Sequence, residues 1–135
     1  MVDVGAGTGL SSELLFTRLP WGHDARWGLL EPNRAILDKV PAPLRGVAHR
    51  AVADATQLPI ASDSADLVVS VGVLCCVRRE AIGPAVAEMH RSLRAGGRAL
   101  ISVPPGMAGA TDRAMTGVGF RALRFARPGS VVYEK

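Results

Sequence analysis

Near the start of the chain, Asp3-Val4-Gly5-Ala6-Gly7-Thr8-Gly9 sets three glycines at alternate positions behind a carboxylate. Glycine adopts backbone conformations that other residues resist, and it lets a ligand come close to main-chain N–H groups. A loop of this kind suits a nucleotide-like ligand, but the spacing excludes two familiar chemistries. The dinucleotide fingerprint needs a small residue where Leu10 stands, and the phosphate-cradling loop needs a Lys followed by Ser or Thr, which is absent. A second carboxylate, Glu31, lies 22 positions after Gly9. Placed at the end of a strand, it could accept hydrogen bonds from both hydroxyls of a ribose. Asp54, within Ala53-Asp54-Ala55-Thr56-Gln57-Leu58-Pro59, is a third carboxylate in a turn-like setting.

These residues need a scaffold, and the apolar pattern describes one. Val2-Asp3-Val4 reads as a short strand that stops at the glycines. Leu10, Leu14, Leu15 and Leu19 have helical spacing, and Pro20-Trp21-Gly22 breaks that helix. Arg26 to Leu30 reads as a second strand ending at Glu31. Asn33 is a candidate cap for a helix from Arg34 to Val40, which Pro41 stops. Val47 to Ala53 suits a third strand leading into Asp54. Leu67-Val68-Val69-Ser70-Val71 is continuous and rich in valine, as expected of a central parallel strand covered on both faces. Ile82, Val86, Met89 and Leu93 share one side of a helix that Gly96-Gly97 would end. Arg98 to Val103 reads as a fifth strand. Phe120 to Ala126 and Ser130 to Tyr133 read as a closing pair joined by a hairpin turn at Arg127-Pro128-Gly129. Alternating strands and helices predict an α/β fold, a doubly wound and mostly parallel Rossmann-like sheet with a closing antiparallel pair. In such sheets ligands bind at the carboxyl ends of the strands, where the polar residues above fall.

With the motifs in this order, the chain resembles class I S-adenosylmethionine-dependent methyltransferase domains of the type 11 kind. Val2 to Gly9 resembles the family's first motif, and Glu31 matches its acidic residue after the second strand. Asp54, followed by Asp63-Ser64-Ala65-Asp66-Leu67-Val68-Val69, resembles the next two motifs. Glu88-Met89-His90-Arg91-Ser92-Leu93-Arg94-Ala95-Gly96-Gly97 resembles the phrase between the late helix and strand five, with Ala95 where proline is usual. The resemblance covers residues 1 to about 104.

It implies S-adenosyl-L-methionine as cofactor, held by Asp3, Gly5, Ala6, Gly7, Thr8, Gly9, Glu31, Pro32, Asp54, Ala55, Ser70 and Val71. Asp3 would organise the loop and the cofactor's amino group, and Glu31 would take the ribose. Asp54 and the Ala55 amide would meet the adenine, with Leu58 against the ring. Asp66 is expected to position its strand rather than touch ligand. The stretch Ser70 to Val77 should face the methyl group. Many small-molecule members carry histidine near Cys75 and Cys76, so a histidine base at that place is lost and no catalytic residue is assigned. The two cysteines are expected to be packed and inert, and His90 to point to solvent. The Asn/Asp-Pro-Pro-aromatic signature of amino methyltransferases is absent, which disfavours methylation of DNA bases and similar amides.

The bulk numbers agree. The chain has 135 residues, 48% hydrophobic and 21% charged, the balance of one globular domain. No apolar run approaches the roughly 20 residues of a membrane span. The start lacks a signal-peptide pattern, and the only cysteines are adjacent, which disfavours a disulfide and makes no zinc site. A reduced, cytoplasmic setting is expected, with no metal. Net charge is +4; from Arg78 onward there are ten Lys/Arg against four Asp/Glu. Interleaved aromatics are lacking, so nucleic acid is an unfavoured partner. The resemblance also implies a chain that begins inside its first strand, without the usual preceding helix. The segment Gly106 to Gly119 is glycine-rich and offers little to build a lid. Three readings follow: methyl transfer to a small-molecule acceptor, a degenerate or partner-subunit domain that binds cofactor weakly, and an RNA or protein methyltransferase. An oligomer is compatible with each.

Overall fold

A computed structural model describes residues 1–20, 22–127 and 130–135, with residues 124–127 described by their backbone alone. The strands are β1 (Val2–Val4), β2 (Trp27–Glu31), β3 (Ala48–Val52), β4 (Ala65–Val71), β5 (Leu93–Ser102), β6 (Arg121–Arg127) and β7 (Ser130–Glu134). The helices are α1 (Leu10–Arg18), α2 (Arg34–Leu37), α3 (Ala42–Arg45), α4 (Arg79–Ser92) and α5 (Ala108–Gly117). The strands form one seven-stranded sheet in the order β3-β2-β1-β4-β5-β7-β6. All neighbours are parallel except β7, which runs antiparallel to both β5 and β6. The expected turn at Arg127-Pro128-Gly129 lies outside the described residues.

The chain lays β1, β2 and β3 outward in one direction, then returns to place β4 on the other side of β1. That reversal opens a crevice at the carboxyl ends of β1 and β4. Apolar residues of alternate parity hold the layers together. Val2, Val4, Leu30, Val68, Ala99 and Ile101 pack against Ala85, Val86 and Met89 of α4 and Met115 of α5. On the opposite face Trp27 and Leu29 meet Phe16 of α1, Leu37 of α2 and Leu44 of α3. Each strand that feeds the site is therefore clamped from the layer its side chains enter.

Three expectations change, and one segment left without a predicted element forms a helix. The helix expected over Ile82 to Leu93 is α4 and ends at Ser92, but Gly96-Gly97 does not stop it: Leu93 already turns extended and pairs with Ala65. Gly97 instead lies inside β5, where an added Cβ would come within 2.8 Å of the Arg94 carbonyl oxygen and 3.2 Å of that of Ala65. The glycine-rich stretch after β5 forms α5, since burying Thr111 and Met115 outweighs the weak helix preference of Gly109 and Gly117. His90 does not project freely into solvent. It is half-buried, edge-on to Phe120 with ring centroids 4.9 Å apart, and burial pushes its pKa down. Cys75 and Cys76 are both exposed rather than packed.

Candidate active site

The glycine loop is pinned before any ligand is considered. The N–H groups of Gly5 and Ala6 both donate to the Leu30 carbonyl, at 2.8 and 2.9 Å. Gly5, Gly7 and Gly9 all have left-handed backbones, with φ of 68°, 57° and 84°. Gly5 has a second reason to lack a side chain: a Cβ there would sit 2.3 Å from Val73 Cγ2, so the turn after β4 rests directly on the loop. At Gly7 a Cβ would meet nothing within 4 Å. Gly7 therefore faces open space, and that is where a ligand can approach the main chain.

Glu31 ties this loop to the end of β2. Its Oε2 accepts from Gly7 N–H at 3.0 Å and its Oε1 from Asn33 N–H at 3.1 Å. The side chain is buried, yet a carboxylate has about four acceptor positions, so each oxygen keeps capacity for one further donor. Asp3 lies deeper. It is 1% exposed, and its Oδ2 accepts from the Ser12 hydroxyl of α1 at 2.6 Å. Burial, with a smaller contribution from the Glu31 charge, raises its pKa to about 6 against the opposing pull of the Ser12 bond. This carboxyl braces the loop against α1.

Asp54 follows β3 and is exposed. Its Oδ1 accepts from both the N–H and the hydroxyl of Thr56, at 2.8 and 2.7 Å, which holds its pKa below the usual carboxylate range. The other oxygen, Oδ2, makes no hydrogen bond among the described residues, so an ionised acceptor faces outward. Val52, Ala53, Asp54, Gln57, Leu58 and Pro59 line a pocket of about 340 Å³ beside it. Leu58 itself is 5% exposed and belongs to the core, so little of its side chain is left to cover a ring.

Sequence reasoning missed what holds this second wall. The Leu58 N–H donates to Glu88 Oε2 of α4 at 2.8 Å. Arg91, one turn on, bonds both Glu88 oxygens and also donates to the carbonyls of Leu58 and Ile60 and to the Ser62 hydroxyl. The i, i+3 spacing of Glu88 and Arg91 was the available signal. It reads as ordinary helix pairing until the loop is seen to sit on it.

At the end of β4, Ser70 is 1% exposed and its hydroxyl has no partner among the described residues, while the next residue, Val71, is 43% exposed. Val52, closing β3, and Leu10, opening α1, are also exposed. Large apolar side chains left uncovered around the mouth of a crevice mark a surface that binds something. Pro32, Ala55 and Thr8 lie on the connecting loops that carry Glu31, Asp54 and Gly7. The structure thus brings the glycine loop, Glu31, Asp54 and the end of β4 to one end of the sheet, with Asp3 beneath it. A larger concavity of about 700 Å³, lined by residues such as Asp24, Arg26, Asp66 and Arg98, lies at the opposite, amino end of the strands and contains none of the residues expected to hold the cofactor. There Asp66 pairs with Arg94 at 2.6 Å, a positioning contact as expected.

A family model described as methyltransferase domain matches residues 2–101, about three quarters of the chain and the whole of the crevice. The chain belongs to this methyltransferase domain family. The cofactor of such a domain is S-adenosyl-L-methionine. Among solved structures, the methyltransferase domain is similar to a TehB-like SAM-dependent methyltransferase from Corynebacterium glutamicum, at 23% identity and a TM-score of 0.82 over 99% of this chain and 78% of that one. An S-adenosylmethionine-dependent methyltransferase from Mesorhizobium loti gives 17% identity and a TM-score of 0.75 over 99% and 89%. The [4+2]-cyclase SpnF also shares the fold, at 18% identity and a TM-score of 0.75 over 91% and 52%. These likenesses establish the fold. No curated protein sequence matches the chain. Among the described residues there is no helix long and apolar enough to cross a membrane, and no group of three or more His, Cys, Asp or Glu that could hold a metal ion.

Proposed function

We propose that this domain binds S-adenosyl-L-methionine across the carboxyl ends of β1 to β4 and transfers its methyl group to a small-molecule acceptor. The observation that carries the reading is the Glu31–Gly7 contact. One carboxylate fixes the glycine loop, retains acceptor capacity for a ribose, and lies beside a stretch of main chain with nothing in front of it. The residues present fit the cofactor's parts. Gly5 to Gly9 offer close main-chain approach, Glu31 and Pro32 the ribose site, and Asp54 and Ala55 an acceptor and a donor for the adenine edge. Ser70 supplies a buried hydroxyl that lacks a partner among the described residues, and Val71 an apolar surface. Asp3 acts through the loop rather than by contact.

When bound, the cofactor supplies an electrophilic methyl group on a sulfonium. The protein's part is to orient donor and acceptor, and orientation alone can contribute several kcal/mol. Small molecules are favoured as acceptors by the absence of the Asn/Asp-Pro-Pro-aromatic signature and of aromatics interleaved with the basic residues.

Calorimetric titration with S-adenosylmethionine and S-adenosylhomocysteine tests the site. Micromolar binding by the intact chain is expected, weakened about 10-fold or more by Asp54→Ala and by Glu31→Ala, each of which removes a charged acceptor. A folded chain that binds neither ligand would overturn the reading in favour of a domain that keeps the fold without the function.

A further inference from the structure

The turn that follows β4 carries a pair of groups that the cofactor crevice leaves unused. Cys75 and Cys76 are both exposed, and their Sγ atoms lie 3.9 Å apart. Neighbouring residues of a strand point to opposite faces. These two converge because the chain coils tightly here: the N–H groups of Cys76 and Val77 both donate to the Val73 carbonyl, at 2.8 and 3.2 Å. Val73 in turn packs on Gly5, so the coil is seated on the glycine loop.

The separation is informative. Two sulfurs bonded to one atom at about 2.3 Å stand roughly 3.3–3.8 Å apart, the shorter span for the near-right angles of a three-coordinate centre and the longer for a tetrahedral one. The observed 3.9 Å lies just above that range, and a small side-chain rotation closes the difference. The pair is unsuited to a bond between the sulfurs themselves. A disulfide needs about 2.05 Å and α-carbons usually separated by at least about 4.4 Å, whereas α-carbons of adjacent residues are held near 3.8 Å. Two thiols alone cannot satisfy an ion that takes four protein ligands. They do satisfy a soft, three-coordinate centre that brings its own third substituent.

We propose that Cys75 and Cys76 form a two-thiol site for a trivalent metalloid, with arsenic(III) as the type case. In the condensation with an arsenical oxide, two As–S bonds form and the arsenic–oxygen bond breaks. The two thiol protons leave with the oxygen as water, arsenic stays trivalent, and no electrons move. The Cys75 Sγ must give up its contact with the Gly72 carbonyl, at 3.1 Å, a weak bond on an exposed turn.

The test uses the full chain and phenylarsine oxide, read by intact mass and by thiol titration. One arsenical per chain is expected, resistant to excess glutathione and released by 2,3-dimercaptopropanol. Cys75→Ser and Cys76→Ser should each weaken retention roughly 100-fold, since one thiol forfeits the effective concentration of the second. Equal retention by either single variant would overturn the proposal. So would capture of Cd²⁺ by both thiols without capture of the arsenical, or ready oxidation of the pair to a disulfide that blocks both. None of these outcomes depends on whether S-adenosylmethionine binds in the crevice.

Discussion

The two walls of the crevice are built on different terms. On the β1–β2 side both candidate cofactor carboxylates are buried and already bonded within the protein: Asp3 to Ser12, and Glu31 to Gly7 and Asn33. On the β3–β4 side Asp54 is exposed, one of its oxygens and the Ser70 hydroxyl have no partner among the described residues, and Val52 and Val71 are open to water. One wall is preorganised, so the cost of ordering it falls on folding. The other keeps its groups available, so its contacts are completed only by ligand. Binding of a long cofactor can use both, with one end registered by a rigid loop and the other adjusted on a surface that gives.

The contrast can be broken at its most rigid point. Gly5→Ala forces a side chain onto a left-handed backbone and into Val73, so backbone strain and overpacking together are expected to cost about 4 kcal/mol. Urea unfolding checks this, and an unchanged midpoint would show that the loop is not pinned as described. Asp3 gives the next effect. Its carboxyl titrates near 3.8 when unfolded and about 6 when folded, so the folded state binds the extra proton between those values. Stability is present below pH 3.8 and falls as pH rises through 6, by about 3 kcal/mol in all. Asp3→Asn should flatten that fall in urea midpoints measured from pH 4 to 7.

On the open wall the effects are smaller and fall on ligand. Arg91→Ala removes the guanidinium bonds to Leu58, Ile60 and Ser62, at a cost of about 1–2 kcal/mol, discounted for a side chain 35% exposed. Because the loop beside Asp54 rests on these bonds, S-adenosylhomocysteine affinity should fall as well, by roughly threefold to tenfold, as read by calorimetry. Asp54→Asn should leave stability within about 0.5 kcal/mol, since the residue is exposed and an amide oxygen still accepts from Thr56. Affinity alone should drop.

Both walls were legible in their strands and motif residues. Glycine spacing, a valine-rich strand and carboxylates at strand ends are local signals, and each of the first four strands lies where its pattern puts it. What escaped depends on contacts distant in sequence. The end of α4 is decided by Leu93 pairing with Ala65, and α5 by a buried Met115 that overrides glycine. The Glu88–Arg91 brace looks like any helix pair until a loop some 30 residues away lands on it. The exposure of Cys75 and Cys76 follows from a coil whose sequence, Val73-Leu74-Cys75-Cys76-Val77, is apolar throughout and suggests burial.

The placement of β7 bears on how the sheet is finished. Last in sequence, β7 lies inside the sheet, between β5 and β6. As the chain leaves the ribosome, β5 keeps a bare line of N–H and C=O groups until Ser130–Glu134 emerge, and β6 has no rung to attach to before then. The sheet is completed by insertion rather than by extension at its rim. For that interval the nascent protein carries an open edge able to pair with another copy, so slowed translation of the closing residues should raise aggregation without altering the stability of the finished fold.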